Sequence, residues 1–501
     1  MKRIFYSSMG SFYKVFKSVD ESLRKDMNVE SAFYVCDKDY ITKNISDNKN
    51  SKYIYEWELY DIKPNDSYSL KILNRIEKEY FLDKSVWRAI VNDRRLYNGV
   101  YCKYKQDYNS TFSFDELLTI FQKTFLKIES FFNTFSPNVI IGSTPSTLGE
   151  YIIITIAKKR NIKIIIPRHT KIKNRFTVVD NLNESFPKIK LSFDKKDFDT
   201  TSKEEAFDYI QEFNRKRGVI YEGSIKRGNY LLKNLVKFIL AFPKLLVKEY
   251  IVKKIKGVDL HGRGNDIYKL FLIGIAKDFR AIFYPFFYKK TFKNLKEIKS
   301  DKYLFFPLHS EPEVAITLFS KGFYNQIELI REISFNLPVG YKLMVNEHPR
   351  NIGKRKIGFY KKISSIPNVS MANFNVNTYD LIENSSLVIV LSGFVGFESA
   401  LLKKPVIALG NANYKILPKK IINKVENIKD LYREIQFSLG NYSYDEESIL
   451  DYLSSVIFHS RKVNFYNVLL AKDRMGKSSD LDDYDQNINA LTNLIKYHIN
   501  V

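Results

Sequence analysis

Apolar positions along this chain recur in two rhythms. Phe114–Phe135 carries them at helical spacing, which predicts an amphipathic helix. Pro137–Gly142 is a short apolar run ended by glycine and predicts a buried strand; Ser143–Lys159 predicts a helix and Ile162–Pro167 a second strand. Strand, helix and strand within about thirty residues form a βαβ unit, which implies a parallel sheet. A second alternation runs from residue 301. Strands are predicted at Tyr303–Leu308, Tyr341–Val345, Asn368–Ala372, Leu387–Leu391 and Pro405–Leu409. Helices are predicted at Phe319–Phe335, Arg355–Ile363, Tyr379–Asn384 and Gly393–Leu402. Strands that are apolar without interruption suit a parallel sheet covered on both faces. From Asn427 the pattern is helical and closes with Ile488–His498. The expected fold is α/β: two Rossmann-like domains facing a cleft, with a basic helical linker and a helical C-terminal tail. The expected boundaries are 1–200, 201–300, 301–470 and 471–501.

Composition narrows the function classes. The chain has 501 residues, and 45% apolar content is ample for packed cores. Two cysteines, Cys36 and Cys102, exclude a disulfide scaffold and a cysteine-based zinc site. A formal charge of +24 attracts polyanions: nucleic acid, anionic lipid or phosphorylated substrates. The competing explanation is genome-driven lysine enrichment. Much of the charge falls between Lys226 and Lys256, where nine Lys/Arg interleave with leucines and face one acid, Glu249. Such a segment suits an anionic membrane surface, or an inter-domain helix with a solvated lysine face. No signal peptide or spanning helix is expected, so the expected location is cytoplasmic, with peripheral contact to the inner membrane face.

In open parallel sheets, ligands bind beyond the carboxyl ends of the strands. Four clusters lie just after predicted strands. Glu347-His348-Pro349-Arg350 pairs an imidazole donor with a guanidinium fork, both suited to phosphate. Ser392, Gly393 and Glu398 occupy a strand-to-helix turn, where backbone N–H groups can meet an anion and Glu398 a ribose hydroxyl. His309, Ser310, Glu311 and Glu313 offer acid/base groups, or simply a capped helix start. In the first half, Ser143 and Thr144 come after one strand and Arg168, His169 and Lys171 after the next, with Arg175 soon after. This gathering suits a sugar or phosphate acceptor, with Glu150 and Asp180 as candidate bases or ordinary surface acids. No metal-ligand spacing, Walker loop or nucleophile elbow occurs, so neither metal nor cofactor is expected.

Taken in order, Phe306-Pro307-Leu308-His309-Ser310-Glu311-Pro312-Glu313, Asn325-Gln326, Glu347-His348-Pro349 and Ser392-Gly393-Phe394-Val395-Gly396-Phe397-Glu398, with Lys404-Pro405-Val406 and Gly410, resemble the capsule polysaccharide biosynthesis family. That family includes bacterial Kdo transferases. The resemblance covers residues 300–420, more weakly 137–180. It implies a GT-B glycosyltransferase and a nucleotide-sugar donor, CMP-linked in the best-known members. It implies that His348 contacts the donor phosphate, that the Ser392-Gly393 turn holds phosphate or nucleotide, and that Glu398 is the family's helix acid. The chain departs from the family where Leu391-Ser392-Gly393-Phe394 replaces a hydroxyl-rich stretch.

The expected activity is therefore metal-independent transfer of a sugar to a growing surface or capsular polysaccharide or glycolipid. Donor binding falls to Glu347, His348, Arg350, Ser392, Gly393 and Glu398. Acceptor binding falls to Ser143, Thr144, Arg168, His169 and Arg175, and catalysis to Glu150, Asp180, His309 and Glu311. Nucleic acid is the least expected partner. The alternatives are a nucleotide-sugar epimerase or a polymer glycerophosphotransferase of the same fold, or a non-catalytic scaffold for membranes or polyanions.

Overall fold

The computed structural model describes residues 1–36 except 11, 51–97 except 83, 110–218 except 111 and 182–185, 267–470 except 312 and 321, and 481–500, with the single positions 240 and 243. The basic stretch 226–256 thus lies outside the described residues, apart from those two positions.

The strands are β1 (Lys2–Ser8), β2 (Val29–Val35), β3 (Lys52–Tyr55), β4 (Val139–Gly142), β5 (Lys163–His169), β6 (Arg175–Val179), β7 (Phe292–Lys293), β8 (Tyr303–Pro307), β9 (Lys342–Asn346), β10 (Val369–Ala372), β11 (Leu387–Val390), β12 (Val406–Ala408), β13 (Ile422–Lys424) and β14 (Arg461–Lys462). They form two 7-stranded sheets, ordered β14-β6-β5-β4-β1-β2-β3 and β13-β12-β11-β8-β9-β10-β7. The second sheet is parallel throughout. The first is parallel from β5 to β3 and gains two antiparallel strands, β6 and β14, at one edge. In each sheet the strand order reverses beside the first strand of its βαβ series, at β1/β4 and at β8/β11. These are the topological switch points where doubly wound folds open a crevice.

Side-chain alternation explains why the strands are apolar throughout. Ile4, Tyr6, Val139 and Ile141 enter one buried cluster, whereas Phe5 and Ile140 enter another on the opposite face. In the second sheet Leu304, Phe306, Leu387 and Ile389 face one cluster. Tyr303, Phe305, Val388 and Val390 face the other, which is continuous with the core of the first half. The two sheets therefore share apolar core between them.

The helix Phe114–Phe135 has the expected bounds because Ser113 and Glu116 cap each other's backbone N–H groups. Some other helices start later than hydrophobicity suggests, whereas the closing helix starts earlier, at Leu481 rather than Ile488. The helix expected from Ser143 begins at Leu148, since Thr147 is its cap. The one expected from Phe319 begins at Gln326 behind an Asn325 cap. The one expected from Gly393 begins at Val395 and has 7 residues.

The chain also returns on itself. Helix Glu446–Phe458 packs on helix Thr200–Lys216, helix Leu481–Asn500 packs on helix Phe12–Asp26, and β14 extends the first sheet. The second sheet accordingly starts at Phe292 and ends at Lys424, inside the boundary expected at 470 and ahead of the one expected at 301.

Candidate functional site

At the second switch point, β8 delivers Leu308-His309 and β11 delivers Leu391-Ser392-Gly393. The two ends touch. A Cβ at Gly393 would stand 3.1 Å from His309 Cε1 and 3.5 Å from Nε2, so a side chain at 393 would press on the imidazole. The backbone of His309 is clamped: its N–H donates to Gln326 Oε1 at 2.7 Å, and its carbonyl accepts from Gln326 Nε2 and Arg355 Nη2, both at 3.2 Å. The ring is left with a buried Nε2 that has no hydrogen-bond partner among the described residues. Burial, with Lys171 of the first half adding repulsion, pulls this imidazole down to about 4.

His348 stands beside it at the end of β9. Its Nδ1 accepts from the Arg350 N–H at 3.1 Å, closing a short 3-10 turn at Pro349–Asn351. The neutral ring then carries its proton on Nε2, as a donor. Burial first, then His309, Arg350, Lys354 and Arg355, pulls His348 down to about 3, so both imidazoles are neutral near pH 7.

The carboxylates of these loops have a different task. Arg355 is 1% exposed and binds Glu347 at 2.9 Å and Glu311 at 3.2 Å, with its guanidinium 3.9 Å from the Phe359 ring centre. Glu347 also accepts from the Tyr360 hydroxyl at 2.8 Å and the His348 N–H at 2.7 Å. Burial pushes its carboxyl up while Arg355 and Tyr360 pull it back. Glu311 and Glu347 thus tie together the loops that hold the two histidines.

Arg350 is exposed and paired with Glu313 at 2.9 Å. Ser392 turns its hydroxyl to the Ala315 carbonyl at 3.3 Å and to Ser320 Oγ at 3.4 Å. Glu398 Oε1 accepts from the Tyr379 hydroxyl at 2.8 Å; burial raises its pKa, and Tyr379 and Lys171 lower it. Gly396 is a packing glycine, because a Cβ there would lie 2.3 Å from the Tyr414 hydroxyl.

The first half brings Lys171 and Arg168 towards this site. Lys171 sits in a left-handed turn (φ 65°) between β5 and β6, within electrostatic reach of His309 and Glu398. The Arg168 guanidinium lies 5.2 Å from the ring centre of Phe319, across the two halves. Lys354 joins the cationic rim: burial, then Lys277, Arg350 and Arg94, pulls it down to about 8.

Other first-half candidates are engaged elsewhere. Glu150 accepts from Ser143 Oγ at 2.8 Å, Ser146 N at 2.9 Å and Thr147 N at 3.2 Å, as a helix cap whose burial raises it to about 7. Ser143 is spent on that cap, and Thr144 is half-buried beside it. His169 accepts from Lys171 N at 2.8 Å and packs on Phe176 and Tyr466, its ring pulled down to about 4 by burial. Arg175 binds Glu205 and the Ile457 carbonyl, tying β6 to the returning tail. Asp180 comes after the antiparallel β6, which carries it back beside Lys163–Ile165 and His498, at the end of the sheet away from the switch point.

Sequence reading missed Arg355 and Tyr379. Arg355 sits inside a Lys354-Arg355-Lys356 run that looks solvated. The available signal was indirect: two acids buried at neighbouring strand ends require a shared cation. Among the described residues, no group of three or more His, Cys, Asp or Glu side chains could hold a metal ion.

No curated protein matches the sequence. Among solved structures, the chain is similar to KpsC, a beta Kdo 2,7 transferase from Thermosulfurimonas dismutans, with 11% identity, 74% of this chain and 89% of that chain covered, and a TM-score of 0.37. UDP-GlcNAc 2-epimerase from Neisseria meningitidis has 11% identity, 91% and 98% coverage and a TM-score of 0.26. A glycosyltransferase from Rickettsia africae has 11% identity, 97% and 98% coverage and a TM-score of 0.24. The model of the capsule polysaccharide biosynthesis protein family matches residues 286–417, which span β7 to β12 and include both histidines and the Gly393 turn.

Proposed function

We propose that the protein is a glycosyltransferase of surface or capsular polysaccharide synthesis, with its nucleotide-sugar donor held at the β8/β11 switch point. The observation that carries this reading is the buried Nε2 of His309, which has no hydrogen-bond partner among the described residues and lies 3.5 Å from where a Cβ at Gly393 would stand. A buried polar atom without a partner is costly, and a ligand oxygen at this point would satisfy it. His348 Nε2–H supplies a second neutral donor, and Lys171, Arg350 and Lys354 supply positive charge around it. Charge developing on the leaving phosphate would thus meet preorganised donors inside a dry crevice. Arg355, Glu311 and Glu347 position those donors. Arg168 and Lys171 reach over from the first half, where the acceptor glycan is proposed to enter. Closure of the two halves would exclude the water that otherwise hydrolyses the donor.

The test is product analysis with CMP-, UDP- and CDP-linked sugars, with and without a glycan acceptor. Acceptor-dependent nucleotide release and a new glycosidic product are expected. A sugar epimerised while still nucleotide-linked would make the protein an epimerase. No donor consumption with any pair would leave a binding scaffold.

A further inference from the structure

Helix Ile267–Phe287 has two unlike faces. The inner one is fixed to the second domain. Ala281 is buried, the Tyr284 hydroxyl accepts from Ile357 N at 3.1 Å, and Arg280 reaches the Gly353 and Lys354 carbonyls at 3.5 and 3.4 Å. Gly353 adopts φ 78°, and a Cβ there would lie 2.0 Å from the Lys277 carbonyl, so the helix and this loop meet backbone to side.

The outer face is a stripe of Leu272, Phe279, Phe283, Phe286 and Phe287, at the spacing of one helix side. Phe286 and Phe287 are 65% and 64% exposed, and Phe279 and Leu272 nearly half. The rings stack along the helix, Phe279 to Phe283 at 4.2 Å and Phe283 to Phe287 at 5.7 Å. The helix carries one acid, Asp278, and the stripe none. Exposed lysines gather at its C-terminal end: Lys289 lies 5.5 Å from the Phe286 ring centre and Lys361 4.9 Å from that of Tyr288, with Lys290 and Lys362 alongside.

We infer that this helix rests along an anionic lipid bilayer, with the phenylalanine stripe at the level of the acyl boundary and the lysines among the headgroups. An apolar aromatic face bordered by cations is the pattern of an interfacial helix. No helix among the described residues is long and apolar enough to cross a membrane, and the ties of Arg280 and Tyr284 to residues 353–357 leave this one only its outer face to offer to a bilayer. Charge chooses the occupant: the stripe of a second copy would bring no acid to the lysine cluster, whereas anionic headgroups neutralise it. The inference uses no residue of the 226–256 segment and does not depend on the transferase reading.

The test is co-sedimentation of the full chain with phosphatidylglycerol/phosphatidylcholine vesicles and with pure phosphatidylcholine vesicles. Variants are Phe279→Ser/Phe286→Ser/Phe287→Ser and Lys289→Glu/Lys290→Glu. Wild type should pellet with the anionic vesicles. The aromatic variant should lose roughly tenfold or more in partitioning, from lost apolar burial, with Tm unchanged. The lysine variant should lose several-fold on anionic vesicles alone, and should report independently if the aromatic variant folds poorly. Aromatic and lysine variants that bind like wild type, or a wild type that stays in solution with both vesicles, would overturn the inference. A concentration-dependent dimer abolished by the aromatic variant, with lipid binding intact, would assign the stripe to a second copy instead.

Discussion

The turn from Ser143 to Glu150 in the first domain and the turn from Ser392 to Glu398 in the second are built from the same parts. Each comes after a buried strand at a switch point, and each has a serine, a glycine and a glutamate ahead of or within a helix. In the first, the glutamate folds back on its own turn and takes up Ser143, Ser146 and Thr147. In the second, the glutamate goes to Tyr379 and the serine turns inward, leaving the glycine beside a histidine whose Nε2 has no partner among the described residues. What separates the two turns is whether their local polar groups satisfy one another. Residue type at a strand end does not decide it.

The largest expected effect breaks the second region at its base. Arg355→Met leaves Glu311 and Glu347 buried without their cation, and chemical denaturation should show a loss of about 3–5 kcal/mol. A loss under about 1 kcal/mol would mean that the loops are held otherwise.

Next comes acid sensitivity. Below its unfolded value of 6.5, His309 protonates in the unfolded chain and stays neutral in the folded one to about 4. Its contribution is complete above that window and is lost as pH falls through it, by about 3 kcal/mol. His309→Asn should flatten this part of the stability–pH curve relative to wild type; an unchanged slope would place the imidazole in water.

The smallest effect sharpens the first region. Glu150→Gln keeps an acceptor for the cap, so stability should fall by less than about 1 kcal/mol and kcat by less than about tenfold. A fall of about a hundredfold or more in kcat, with Tm intact, would restore Glu150 as a base.

The alternation of strands and helices from residue 301 was legible because fully buried strands are apolar at every position. Helix starts were not legible, since Thr147, Asn325 and Phe394 fix them by local geometry that hydrophobicity does not register. The place of His309, His348 and Gly393 at the strand ends was legible because each lies just past the carboxyl end of an apolar strand. The same strand-end rule misplaced Asp180, because β6 runs antiparallel and nothing in its own sequence says so. It also offered Arg175, whose partners Glu205 and Ile457 are remote in the chain. Arg355 is the converse case, a cation made structural by two acids that only the fold brings together.

The most direct test of the account is nucleotide-induced thermal stabilisation, with CMP, UDP, GDP and CDP added to wild type, His309→Ala, His348→Ala and Glu150→Gln. One nucleotide should raise the Tm of wild type and Glu150→Gln, and raise that of neither histidine variant appreciably. Equal stabilisation of all four proteins would contradict it, since the nucleotide would then bind away from the His309–Gly393 contact.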